Sequence, residues 1–306
     1  AEHLEQLAAE VASAIDLREI RRIVVDDTAF SPRRFGPGYD PEGAGVSYMA
    51  PSGALSLQWS TVEVRVRGAA TGRALHVEVS PPCEHVEIRS TATGGRGGLA
   101  VQSFGEGERT VITVDGHLPR GARFSKRRRV SDPGRFAGSA FAAMLARRGA
   151  AGPHGEPLAV ELGATPTEAT PVATHTSAPL PQVLDSALSW SNNFTSEQIL
   201  RTLGWRMSGE PGDWDNGRRA LERYWEAAGL SHHALAFENA SGLSASGRIS
   251  AAALADLLAF AAREGSDAAA LWSALPVAGR EGTVKDRLRR SGGRVRAKTG
   301  TMRNAS

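Results

Sequence analysis

The sequence of 306 residues holds one cysteine, Cys83, which excludes an internal disulfide and a cysteine metal cluster. Lysine is nearly as scarce: Lys126, Lys285 and Lys298 are the only three, so arginine supplies 33 of the 36 basic side chains (36 minus 3). No apolar run approaches the length needed to cross a bilayer, so no transmembrane segment is read. The start, Ala1-Glu2-His3-Leu4-Glu5, has neither the basic end nor the apolar stretch of a signal peptide, and no initiator Met. It therefore reads as a mature or trimmed form. No repeat recurs at a fixed period. What is present, 41% hydrophobic and 23% charged residues with a net charge of +3, is the composition of a globular protein long enough for two domains. The modest charge permits anionic partners without pointing to one.

Residues 4–15 place Leu4, Leu7, Ala8, Val11 and Ile15 at helical spacing and predict a short helix. A buried strand at 22–27 ends in Asp26 and Asp27, and 27–52, rich in Gly and Pro, reads as a long irregular connection. Between 55 and 115 the period changes to two, with Val62, Val64 and Val66, then Leu75, Val77 and Val79, then Val86 and Ile88, then Val111, Ile112 and Val114. Turn residues separate these runs, notably the glycine-rich stretch 93–98, which predicts a β-rich unit. A strand at 127–130 and a helix at 134–148 close it. Residues 164–181, rich in Thr, Pro and Ala, read as a linker. Helical patterns follow at 180–190, 195–203, 213–228, 250–263 and 281–290, and Gly292-Gly293 then turns the chain into a strand at 294–301.

Two short segments carry the chemistry. Ser191-Asn192-Asn193 sits between two helical stretches, where a helix cap is the ordinary role for Ser or Asn. Lys298-Thr299-Gly300-Thr301 places one of three lysines before small residues, a pattern that ordinary turns also show. Taken together they make another arrangement. A hydroxyl and an amide one residue apart can face a cleft from one loop, while a strand bearing Lys, Thr and Gly forms the opposite wall. There the ammonium and the threonine hydroxyl would bind a carboxylate, the glycine would allow close approach, and a backbone N–H would stabilise an oxyanion.

These two segments are similar to the second and third motifs of penicillin-recognising serine enzymes. The surrounding text narrows the likeness to the peptidase S13 family, the D-alanyl-D-alanine carboxypeptidases and endopeptidases of the penicillin-binding protein 4 type. Asn239-Ala240-Ser241-Gly242-Leu243-Ser244 resembles that group's glycine-serine-glycine-leucine-serine segment, with Ala240 where glycine is usual. Leu275-Pro276-Val277-Ala278-Gly279-Arg280-Glu281-Gly282-Thr283 resembles the segment before the third motif. Asp26-Asp27-Thr28-Ala29-Phe30 and Gly36-Pro37-Gly38-Tyr39 match the start of the inserted region. The resemblance implies an α+β class with the penicillin-recognising, serine β-lactamase-like transpeptidase fold, incomplete, carrying a β-rich inserted domain. On this reading 1–19 is a boundary helix, 20–165 the inserted region and 166–306 the partial penicillin-recognising domain.

The resemblance also implies roles. Ser191 and Lys298 would belong to the proton-relay network, and Asn193 would hydrogen-bond the substrate amide. Thr299, Gly300 and Thr301 would line the substrate, with the Thr301 N–H as an oxyanion donor. The implied reaction forms a serine ester at the penultimate D-alanine of a peptidoglycan stem peptide, which water then releases. No metal or organic cofactor is implied. β-Lactams would bind the full-length parent, and the setting would be the periplasm or cell envelope. The family attacks with a serine in a Ser-x-x-Lys motif. Here Arg123, Gly282 and Val295 stand three before the lysines, so the motif is absent from this sequence. The expectation is a piece cut at both ends from a longer protein, inactive alone. The alternative is a non-catalytic envelope protein that binds peptidoglycan peptides.

Other candidates read as ordinary structure. The basic run 123–129 has one aromatic and no recognisable nucleic-acid module, so it reads as a solvated strand face, with no nucleic-acid partner. His232-His233 has no third ligand at helical spacing, and Asp26-Asp27 reads as a strand-end turn. His175 lacks the Gly-x-Ser-x-Gly elbow that a serine triad would need. Trp190, Trp205, Trp214 and Trp225 are expected to pack the helical part.

Overall fold

In the computed structural model, residues 2–230, 235–263, 265 and 268–300 are described. Two units divide them: residues 1–35 with 40–175, and residues 36–39 with 176–306.

The first unit starts with helix α1 (Glu2–Ala14), which buries Ala8 and leaves Ile15 beyond its end, half in solvent. Strand β1 (Arg22–Val25) follows. At its end the carboxylate of Asp26 accepts the N–H and hydroxyl of Thr28 at 3.0 and 2.5 Å and the N–H of Thr165 at 2.8 Å. Asp27 pairs with Arg34 and accepts the Leu55 N–H at 3.0 Å. This is the turn read from the sequence.

The period-two valines form a core. β2 (Thr61–Arg67) turns Val62, Val64 and Val66 inward and is the centre of an antiparallel sheet between β3 (His76–Ser80) and β7 (Arg123–Arg129). A second sheet has β6 (Arg109–Gly116) at its centre, with β4 (Val86–Ser90) parallel to it and β5 (Leu99–Glu106) antiparallel. Val62, Val66, Val101, Ile112, Val114 and Phe136 share one buried cluster, each side chain contributing about 1.5–3 kcal/mol through its burial. The alternation of β5 escapes a sequence reading because a serine, Ser103, holds one of its two inward positions. Its hydroxyl is satisfied there by the Arg129 carbonyl at 2.9 Å.

The solvated face expected at 123–129 is only partly present. Arg128 and Arg129 are 6% and 4% exposed, and both are used as multiple donors to backbone carbonyls. Arg128 donates to the Val101 carbonyl at 2.7 Å. Arg129 reaches the carbonyls of Asp40 at 2.7 Å, Pro41 at 2.5 Å and Met49 at 3.2 Å, and lies over the Phe35 ring. A guanidinium with five forked donors can satisfy carbonyls that no regular ladder serves, and Arg129 does so for part of the irregular connection 27–52.

Helix α2 (Pro133–Ala146) is capped by Asp132 and has proline in its first turn. β8 (Ala159–Leu162), unseen in the sequence, pairs in parallel with β1 from Arg22↔Ala159 to Val25↔Leu162. Ala8, Leu17, Leu145 and Leu158 make the cluster that joins α1 to α2.

In the second unit, α3 (Leu180–Trp190) has the expected bounds. α4 (Asn193–Ser208) runs through Gly204 and stops at Gly209 in a left-handed conformation, five residues past the expected end at 203. α5 (Trp214–Ala227) opens on a capping box between Asp213 and Asn216. α6 (Ala251–Ala261) is capped by Ser250, and α7 (Ala269–Ala274) is short. Trp214 and Trp225 are 2% and 3% exposed, as expected of packing residues. Trp190 is 72% exposed and Trp205 36%, so these two do not fit that expectation.

The helix expected at 281–290 is absent. Two 3₁₀ turns, Gly282–Val284 and Arg289–Ser291, stand there, because Gly282 and Leu288 take positive φ and only Val284 has an apolar site to enter. Among the described residues, the strand expected at 294–301 is one bridge, Val277↔Arg296. It is reinforced by Ala278 N–H to Val295 O at 2.9 Å and Ala297 N–H to Pro276 O at 3.1 Å. The partner segment turns away at Gly279, whose φ is +81°, so no ladder can extend. His232, His233 and Thr301 lie outside the described residues.

Candidate active site

Ser191 and Asn192 divide the two roles that the sequence left open. Asn192 is the cap of α4: its side-chain oxygen accepts the Thr195 N–H at 3.1 Å. Ser191 ends α3 in the left-handed region (φ 55°, ψ 51°), and its N–H returns to the Ala187 carbonyl. The Ser191 hydroxyl is therefore not consumed by capping. It accepts a hydrogen bond of 2.8 Å from Lys298 Nζ, across 107 positions of sequence. The two segments singled out from the sequence are brought together.

Lys298 Nζ also donates to the Thr299 carbonyl at 2.5 Å. The side chain remains exposed overall, yet partial burial lowers its ammonium pKa below the ordinary lysine value. A lysine so placed is a better proton carrier than a free surface lysine. The Thr299 hydroxyl donates to Thr283 Oγ1 at 2.9 Å. Gly300 is exposed, with open space where a side chain would stand, so the backbone can be approached closely there. Asn193 is the first residue of α4 and half-buried.

Glu197, one helical turn after Asn193, was not singled out. Its carboxylate is 2% exposed and accepts Trp214 Nε1 at 2.7 Å, Ser241 N–H at 2.9 Å and Ala240 N–H at 3.3 Å. Tyr39 Oη stands 3.5 Å away, and burial, then the Glu197 charge, push its phenol above the usual tyrosine value. Asn239 Nδ2 donates to the Pro37 carbonyl at 2.7 Å. A Cβ at Gly36 would lie 2.4 Å from the Trp214 indole nitrogen, so only glycine fits. Segments 36–39 and 239–244, both quoted above for their family likeness, thus converge on one carboxylate. The available signal was a glutamate in register with Leu200, Arg201 and Gly204 on the buried face of α4. His175, in the first unit, stacks on the His3 ring at 4.6 Å.

Comparison with known proteins identifies the fold and the family. Penicillin binding protein 4 (dacB) from Haemophilus influenzae superposes with a TM-score of 0.78 at 18% identity, over 98% of this chain and 67% of that one. The same protein complexed with a novel beta-lactam superposes at 0.72 and 17% identity, over 98% and 66%. The fold, mixed α and β, is therefore that of penicillin-binding protein 4. A family model described as the D-Ala-D-Ala carboxypeptidase 3 (S13) family matches residues 1–306, and this chain belongs to that family. The D-alanyl-D-alanine carboxypeptidase of Actinomadura sp. (strain R39) is 33% identical over 328 residues, covering all of this chain and 59% of the relative. The chain thus spans about three fifths of that relative's length.

Proposed function

We propose that these residues form one wall of a serine-type D-Ala-D-Ala carboxypeptidase or endopeptidase that cleaves peptidoglycan stem peptides through an acyl-enzyme. The observation that carries this reading is the 2.8 Å hydrogen bond from Lys298 Nζ to Ser191 Oγ. A serine hydroxyl attacks the penultimate D-alanine carbonyl and gives its proton to the lysine of its Ser-x-x-Lys motif; a C–O bond forms and the C–N bond to the terminal D-alanine breaks. The leaving nitrogen needs a proton. Lys298 donates to Ser191 Oγ, which leaves the Ser191 O–H free to donate to that nitrogen and the ammonium to replace it. Water then attacks the ester and frees the shortened peptide as a carboxylate.

Asn193 holds the substrate amide, and Thr299 binds the terminal carboxylate beside the Lys298 charge. Gly300 admits the substrate backbone, and Thr301 supplies an oxyanion donor. The attacking serine belongs to a Ser-x-x-Lys segment, which the present sequence does not contain, so it is supplied by other sequence of the same gene product. The setting is the periplasm or cell envelope; among the described residues no helix is long and apolar enough to cross a membrane.

Labelling the complete gene product with a fluorescent penicillin tests this. A stable covalent adduct is expected. A folded gene product that binds stem peptides and forms no adduct would instead be the non-catalytic envelope protein, a reading favoured only by the missing Ser-x-x-Lys.

A further inference from the structure

The turn at Gly282-Thr283 touches both walls of the site, and the chemistry above uses neither residue. Gly282 has φ +49°, and a Cβ there would stand 2.2 Å from the Ser189 carbonyl oxygen, two residues before Ser191. The turn is thereby pressed against the last turn of α3. Thr283 accepts the Thr299 hydroxyl at 2.9 Å. The turn is also held from behind: Val284 is 1% exposed, and its carbonyl accepts the Gly279 N–H at 3.0 Å. The Thr283 hydroxyl therefore has a fixed seat, set by the same backbone that abuts the Ser191 helix.

We infer that Thr283 is a positioning residue for the substrate carboxylate, acting through the Thr299 hydroxyl. The inference rests on the proposed role of Thr299 as a carboxylate ligand. Each hydroxyl has one proton to donate and can accept two hydrogen bonds. In the structure Thr299 donates to Thr283. To bind a carboxylate, the Thr299 proton must turn towards the substrate. Thr283 then reverses and donates to Thr299 Oγ1, so the contact survives with its direction flipped. A hydroxyl that accepts a hydrogen bond is polarised into a better donor, and its rotor is fixed. Valine at 283 would keep the shape and lose the reversal; serine would keep both.

The test uses the complete gene product with Thr283→Val and Thr283→Ser. The substrate is a peptide ending in D-Ala-D-Ala, and its C-terminal carboxamide is read as a competitive inhibitor. Thr283 is exposed, so the valine variant is expected to melt like the parent. It should raise KM for the free carboxylate about three- to tenfold, the scale of one neutral hydrogen bond, with kcat nearly unchanged. Inhibition by the carboxamide should barely move, and serine should restore KM. An unchanged KM, an equal loss against both peptides, or no rescue by serine would overturn the role of Thr283 while leaving the carboxypeptidase reading intact. An unmutated gene product that fails to cleave the peptide would overturn both.

Discussion

Replacing Glu197 probes the helical unit where its polar interior is most concentrated. The carboxylate accepts three nitrogen donors within 3.3 Å, from Trp214, Ser241 and Ala240. The Tyr39 contact, at 3.5 Å, is too long to count. In Glu197→Gln one oxygen survives, and the new amide directs its own protons at groups that also donate. Keeping the oxygen on Trp214 and Ala240 leaves the Ser241 N–H unserved, at a cost of about 1–3 kcal/mol. In Glu197→Ala all three donors lose their acceptor, and two of them, Trp214 and Ser241, were well bonded. The expected loss is about 2–6 kcal/mol, two donors at about 1–3 each. Urea unfolding followed by tryptophan fluorescence is the assay, because five of the six tryptophans (190, 205, 214, 225 and 272) lie in the second unit. Combining Glu197→Ala with Trp214→Phe should show a coupling of about 1 kcal/mol or more, since the two side chains share a bond that either change removes. A change below about 0.5 kcal/mol for Glu197→Ala, the scale of an ordinary surface substitution, would refute the assignment of Glu197 as the organising acceptor.

Two further outcomes depend on pH. His85 is buried, and desolvation lowers its pKa from 6.5 to about 4. Between those values the unfolded chain binds the proton and the folded one does not, so stability falls as pH falls from 6.5 to 4, by about 3 kcal/mol in all. Urea midpoints of the parent and His85→Gln should converge across that window; parallel curves would contradict it. For Lys298, the lowered pKa places the alkaline loss of kcat/KM below the ordinary lysine range, because the ammonium form is the one that donates to Ser191. A pH profile flat through that range would contradict this role.

The parts of the fold legible in the sequence are those where one face is uniformly apolar. Val62, Val64 and Val66 identify β2, and the amphipathic stretch of α3 has its observed bounds. Where a polar group holds an inward position, periodicity fails. Ser103 hides β5, and Arg128 and Arg129 pass for solvated charges because only the folded backbone presents the carbonyls they serve. Glu197 escapes notice for the same reason: its donors come from segments far along the chain. Residues 281–290 read as a helix on composition, yet Gly282 and Leu288 adopt backbone angles no helix allows. The pairing of Ser191 with Lys298 was legible from the chemistry of the two segments taken together and from their resemblance to the family motifs, since no local pattern joins residues 107 positions apart. Thr283 had no signal beyond its place in a family-like segment.

The central claim, that Lys298 and Ser191 form a proton-relay wall facing a serine nucleophile, is tested most directly by penicillin labelling of the complete gene product with and without Lys298→Ala. One adduct is expected, mapping to a serine of a Ser-x-x-Lys motif and hence outside these 306 residues. Lys298→Ala should slow labelling by about a hundredfold or more while the protein stays folded. An adduct on a serine within these residues, or labelling of Lys298→Ala at the parent rate, would contradict it.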